Sequence, residues 1–230
     1  MPQLKYYYDF MSQPSRALYI FLKLTNIPFE VCPVALRKGI QHSDEFKEKL
    51  NRFQKVPFIH HGSFKLAESI AIVRYLSREY RDVVEDHWYP KNSQEQAKVD
   101  EYLEWQHTNT RLHCASYFVY KWLIPNMTQS PPDANEVSKH ESNMLTCLDQ
   151  IEDLWLGQGH KYIVGDKISV ADIFAATELE QPKMAGFDVC KGRPKLKAWL
   201  DQVKQDCSPF YEEAHVITNK IASQAKRAKL

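Results

Sequence analysis

Ser12 stands where the chain's most reactive geometry is expected. It lies in Tyr6-Tyr7-Tyr8-Asp9-Phe10-Met11-Ser12-Gln13-Pro14-Ser15-Arg16, where an aromatic strand runs into a short turn and Ser-x-Pro opens a helix. The hydroxyl then sits at the positive end of a helix dipole, beside backbone N–H groups that have no intrahelical partner. Such a corner holds an anion. No His/Asp relay adjoins it, so Ser12 reads as a hydrogen-bond donor and not as a covalent nucleophile. The same spacing also fits a plain helix N-cap. Farther on, His107 and Arg111 are four residues apart on an expected long helix and point one way. A surface ion pair is the other reading of that arginine.

The elements that position these groups follow from pattern. Leu4 to Tyr8 reads as a strand, Pro14 suits the first turn of a helix running to about Asn26, and Phe29 to Val34 reads as a second strand. Pro57 to His60 and Ser63 to Leu66 flank His61-Gly62 as a hairpin. A helix begins at Glu68 with Ile72, Tyr75, Leu76 and Tyr80 on one face. A right-handed crossover makes the first two strands parallel, and the hairpin adds antiparallel ones. Residues 81–92 break the periodicity and read as a linker between a first unit, 1–80, and a second, 93–230.

The second unit reads as all helix. Ser93 is the expected cap of its first helix, whose face is Val99, Tyr102, Leu103 and Gln106 and which extends beyond Leu112. Met144, Leu148, Ile151 and Trp155 form another face, as do Leu196, Trp199, Leu200 and Val203. Pro125, Pro131 and Pro132 are expected to break the chain between the first two. Ser169-Val170-Ala171-Asp172 is a capping-box pattern, with Asp where Glu is more usual, which gives Ser169 and Asp172 a structural role.

Composition sets the bounds. The chain has 230 residues, 43% of them hydrophobic, and a net charge of +1, which leaves no global footprint for nucleic acid. Five widely spaced cysteines form no CxxC or Cys/His cluster, so neither a metal site nor a disulfide framework is expected, and a reducing compartment fits. The N-terminus lacks a signal-peptide pattern and no apolar run is long enough to span a membrane. These features point to the cytoplasm. The terminal Ala228-Lys229-Leu230 is close to the Ser-Lys-Leu peroxisomal address, which makes peroxisomal targeting the alternative; a solvated basic helix end is the plainer reading.

Several local texts stand in one order: Ser12-Gln13-Pro14-Ser15-Arg16-Ala17, Asn26-Ile27-Pro28-Phe29-Glu30, Lys55-Val56-Pro57, Glu68-Ser69, Trp88-Tyr89-Pro90, Val99-Asp100-Glu101-Tyr102-Leu103, Ser169-x-Ala171-Asp172 and Gly192-Arg193-Pro194-Lys195-Leu196. In this the chain resembles the cytosolic glutathione transferases, the theta class in particular, over nearly its whole length. The resemblance implies an N-terminal thioredoxin-like α/β domain, with a mixed four-stranded sheet, and an all-helical C-terminal domain that forms the electrophile pocket. It also implies glutathione as co-substrate, small electrophiles as acceptors and a homodimer.

It further implies roles for individual residues. Ser12 would stabilise the glutathione thiolate. Pro57 would be a cis-proline that exposes the backbone of Val56 to the tripeptide, and Lys55 beside it would also bind glutathione. The free N–H groups and hydroxyl at Ser69 would take the γ-glutamyl carboxylate, and Glu68 the α-ammonium. A histidine usually faces the glycyl carboxylate; Gln41 takes that slot without a gap, and His42 takes it if the extra residue falls at Ile40. Arg111, with His107, would lie near the electrophile and could hold an anionic leaving group. Trp105, Tyr117, Phe118 and Trp122 line either that pocket or the core. The short polar-basic segment after His215 implies a more open pocket than in relatives with an apolar tail. A thiol-disulfide exchanger on this fold would want cysteine at position 12, and a non-catalytic docking module would not need Ser12, Lys55, Glu68 and Ser69 intact.

Overall fold

A computed structural model describes residues 2–227, so the Ala228-Lys229-Leu230 tripeptide lies outside the described residues. The first unit is a four-stranded sheet with strand order β2-β1-β3-β4: β1 (Leu4–Tyr8), β2 (Glu30–Pro33), β3 (Phe58–His61) and β4 (Phe64–Ala67). β1 and β2 pair parallel, and the other two contacts are antiparallel. The crossover between β1 and β2 is α1 (Gln13–Leu24), which starts with Pro14 in its first turn. It stops two residues short of the expected end, because Asn26 takes a positive φ of 54° and Pro28 follows.

The hairpin turn is Gly62-Ser63, one residue later than expected. The buried His61 ring stays in β3, with Nδ1 2.7 Å from the Tyr75 hydroxyl, and Gly62 takes the positive φ of 61°. A Cβ at Gly62 would also come within 3.0 Å of the Pro2 ring. α2 (Ser69–Glu79) then buries Ile72 and Leu76 against the sheet, each contributing about 1.5–3 kcal/mol, while Tyr75 is half-buried.

Seven helices follow among the described residues: α3 (Ser93–Thr108), α4 (Thr110–Phe118), α5 (Ile124–Thr128), α6 (Ala134–Gln150), α7 (Val170–Leu179), α8 (Pro194–Asp206) and α9 (Phe210–Arg227). Three local expectations are corrected. Asn92, and not Ser93, caps α3, its Oδ1 accepting from the amides of Gln94 (3.0 Å) and Glu95 (3.2 Å). α3 does not run on past Leu112: Asn109, at φ −121° and ψ −94°, separates it from α4. Pro125 does not break the chain. A wide turn at Val119–Leu123 precedes it and places it in the first turn of α5, where no N–H is needed.

The expected apolar faces are the observed ones, with Val99, Tyr102, Leu103 and Gln106 all buried on α3 and Leu196, Trp199, Leu200 and Val203 on α8. α7 is buried along its whole length, and α1 packs on both α7 and α9, so one core runs through both units. The capping box forms as expected: Ser169 Oγ accepts from Ala171 N (3.2 Å), and Asp172 accepts from Ser169 N (2.9 Å), Ile163 N (2.8 Å) and Trp199 Nε1 (2.8 Å). All five cysteines are free thiols. Burial pushes Cys190 up to about 11 and Cys147 up to about 12, and raises Cys32, Cys114 and Cys207 as well. No described helix is long and apolar enough to cross a membrane.

Candidate active site

Strand register gathers the expected residues at one end of the sheet. Phe58 faces Tyr7 on β1 and Ala67 on β4. The Val56-Pro57 pair just before β3, the Asp9–Ser12 turn just after β1, and Glu68-Ser69 just after β4 are therefore neighbours. The turn after β1 is held by Asp9, whose carbonyl accepts from Ser12 N (2.9 Å) and whose carboxylate accepts from Met11 N (2.8 Å) and Leu36 N (3.1 Å). Ser12 has extended N-cap dihedrals, φ −85° and ψ 122°, and its carbonyl begins the α1 ladder, yet its side chain caps nothing. Its only partner among the described residues is the Val56 carbonyl, at a long 3.4 Å. An ordinary capping side chain would have bonded an amide of α1.

The Val56-Pro57 peptide is cis, as the resemblance implies. The Lys55 carbonyl accepts from Asn51 Nδ2 (2.8 Å), which ties the segment to the preceding loop, and the Lys55 side chain is exposed. Gln41 and His42 share one short helical turn, Ile40–His42, with Nε2 of one 3.0 Å from Nε2 of the other. Gln54 donates to the Gln41 carbonyl (3.0 Å), so both lie on a loop fastened to the Val56 side of the cleft. Gln41 Oε1 is buried without a partner.

Glu68 adopts φ 68° and ψ 110°, outside the left-handed helical well, and its side chain is exposed at the mouth of α2. A non-glycine residue in that region stores strain, and such strain clusters at binding sites. Ser69 behind it is buried, and its hydroxyl accepts from Arg111 Nη2 at 3.4 Å.

Arg111 is thus no free surface cation. Its Nε pairs with Glu178 on α7 at 2.7 Å, and Nη1 donates to His107 Nδ1 at 3.3 Å. An arginine only donates, so His107 Nδ1 carries no proton. Burial and the Arg111 charge lower the His107 pKa, against the pull of Glu104 and Glu68, which agrees with a neutral ring. The structure therefore joins His107, Arg111, Ser69 and Glu178 in one cluster, across the break at Asn109.

The aromatic residues divide. Trp105 packs against Trp155 and Tyr102 in the core, and Tyr117 packs edge-on to Phe187. Phe118 stacks on Trp122 within an apolar cluster that includes Met11, Val119, Leu123, Met184 and Ile221. Met11 brings that cluster next to Ser12. Asp9, Gln54, Glu178 and Gln181 escaped the sequence reading. Only Asp9, an acid three residues before the serine, carries a local signal, that of an Asx turn.

With the geometry in hand, comparison with known proteins gives a consistent result. Residues 2–78 match the family model for the glutathione S-transferase N-terminal domain, and 113–205 that for the C-terminal domain. Mouse glutathione S-transferase theta-3 is 41% identical over 94% of this chain and 89% of its own, and human theta-1 is 40% identical over 93% and 88%. The apo structure of human glutathione S-transferase T1-1 superimposes with a TM-score of 0.89 at 39% identity, covering 96% of this chain and 91% of its own. A human theta-class transferase in complex with the glutathione conjugate of 1-menaphthyl sulfate superimposes at 0.90 with 36% identity, covering 99% and 92%. A sheet whose register collects these residues, the helical unit behind it and relatives alike from end to end place this chain among the theta-class glutathione S-transferases.

Proposed function

We propose that this transferase activates glutathione through the Ser12 hydroxyl and passes it to small, largely apolar electrophiles. One observation carries the reading: Ser12 occupies a helix N-cap position while its hydroxyl caps no amide and makes only a long 3.4 Å contact to the Val56 carbonyl. A free thiol has a pKa near 8.5, and a hydrogen bond to an anion contributes about 1.5–3 kcal/mol, or one to two pKa units. Ser12 O–H donates to the sulfur and keeps its own proton throughout. The thiolate attacks the electrophilic atom, the new C–S bond forms, and the leaving group departs with its electron pair.

Around that step the other groups bind. Glu68 takes the tripeptide's ammonium, Ser69 and the α2 amides its γ-glutamyl carboxylate, the Val56 backbone its cysteinyl unit, and Lys55 with Gln41 or His42 its glycyl end. The apolar cluster beside Met11 suits an aromatic body on the electrophile, and Arg111 an anionic leaving group such as sulfate; a human relative is in complex with the glutathione conjugate of 1-menaphthyl sulfate. Conjugation and dehalogenation follow this course; in peroxide reduction the thiolate would attack oxygen, the O–O bond would break to release an alcohol, and a second glutathione would convert the sulfenic acid to the disulfide and water. The chain would work as a homodimer.

Ser12→Ala tests the reading. The variant should fold and stay on immobilised glutathione, while turnover falls about 10-fold or more at neutral pH and the bound thiol titrates one to two units higher. Turnover equal to the parent enzyme's would refute the role of Ser12.

A further inference from the structure

The turn that carries Ser12 is gripped from both sides. On one side Asp9 takes the amides of Met11 and Ser12. On the other, Arg16 Nη1 donates to the Phe10 carbonyl at 2.7 Å and Gln181 Nε2 donates to the Met11 carbonyl at 3.3 Å. The two side chains also bind each other: Arg16 Nη2 donates to Gln181 Oε1 at 2.7 Å and to the Thr177 carbonyl at 3.0 Å. Arg16 comes from α1, Thr177 from α7 and Gln181 from the turn just after α7, so the grip joins the two units of the chain.

We propose that Arg16 and Gln181 form a clasp that sets the position of the Ser12 hydroxyl, making both of them positioning residues for thiolate stabilisation. Arg16 is fully buried, yet it pairs directly with no carboxylate among the described residues. A guanidinium in that setting is a poor device for stability, since an apolar side chain of similar volume often serves as well or better. Its Nη1 and Nη2 donors go to the turn before Ser12 and to Thr177 and Gln181, while Nε is buried without a partner among the described residues. Burial pulls its pKa down to about 10, while Glu178, Tyr211 and Glu180 favour the charged form, so the fork keeps all its donors at neutral pH. α7 is itself fixed at its start by the Ser169–Asp172 box and buried throughout. Hydrogen-bond donation to a thiolate depends steeply on distance and angle, so a displaced turn weakens it without touching the groups that bind the tripeptide.

This proposal rests on the Ser12 reading, and the experiment separates the two. Gln181→Met removes both of the Gln181 contacts at nearly constant length. The thiol pKa of bound glutathione, read from its ultraviolet thiolate absorbance, should rise by about half to one unit, with kcat falling ~3–10-fold and the KM for glutathione within about twofold. Leu148→Ala, in the core on α6, is the stability control: it lowers Tm without moving the thiol pKa. If Gln181→Met does not fold, Gln181→Glu keeps an acceptor for Arg16, loses the donor to Met11 and gives the same readout. A parental thiol pKa and kcat in the folded variant would reduce the clasp to a structural feature and overturn the proposal. If Ser12→Ala also left the thiol pKa unmoved, the reading of Ser12 itself would be the one that fails.

Discussion

His215 shows how far one buried ring can set the response to acid. On α9 its Nδ1–H donates to the Tyr211 carbonyl at 2.7 Å, its ring stacks on Tyr211, and Nε2 is buried without a partner. Burial first, then the Arg16 and Lys183 charges, hold its pKa down to about 3, against the pull of Glu180. Below pH 6.5 the unfolded chain binds a proton at this ring that the folded chain refuses. Stability is therefore intact above 6.5 and declines as pH falls toward 3, by about 2 kcal/mol at pH 5 from this group. Denaturant unfolding at pH 7 and pH 5 should show that loss, and His215→Phe, which keeps the stacking, should shrink it. Glu180, held down to about 2 with Lys204 and Lys183 as its partners, adds a second acid-sensitive step only below its unfolded pKa of about 4.5. At this scale the helix-start positions of Ser12, Glu68 and Ser69 were legible from local pattern, while the roles proposed for them came from the resemblance. Arg16–Gln181 and Arg111–Glu178 were not, since those contacts join residues 165 and 67 positions apart.

Among the elements, α7 depends most on a single side chain. Asp172 accepts from the Ser169 and Ile163 amides and from the Trp199 indole, and burial pushes its pKa up against those donors. Asp172→Ala leaves four buried donors without this acceptor, the Ser169 hydroxyl among them, which should cost about 3 kcal/mol or more and lower Tm by roughly 6–12 °C in a chain of this size. Calorimetry measures it; a Tm within a degree or two of the parent would show that α7 stands without this carboxylate. The box was legible in sequence because Ser and Asp at that spacing cap their own helix. The separation of α3 from α4 was not. Asn109 replaces a continued ladder with a local bond from its Nδ2 to the Trp105 carbonyl at 2.8 Å, and nothing in the apolar period marks it. Pro125 misled in the opposite direction, because a wide turn just before it turned a helix breaker into a helix opener.

For the whole molecule, the proposed pairing of two chains draws support from the face beyond β4. Phe53 is about half exposed there, at 48%, beside a groove of about 560 Å³ lined in part by Phe53, Lys65, Leu66 and Ala67 and reaching Glu68. Sedimentation at micromolar concentration should give twice the mass of one chain, and Phe53→Ser should shift the population toward single chains. A parent protein that sediments as one chain would dismiss the pairing.

The five free thiols bear on survival among harsh reagents. Alkylating agents attack sulfur as the anion, and at pH 7 about one Cys190 side chain in ten thousand is ionised with its pKa pushed up to about 11. A tripeptide sulfur titrating near 7 would be about half ionised. If glutathione is activated as proposed, an incoming alkylator would meet a more reactive sulfur on the dissociable co-substrate than on the buried Cys190, and the damage would fall on the partner that leaves with the product.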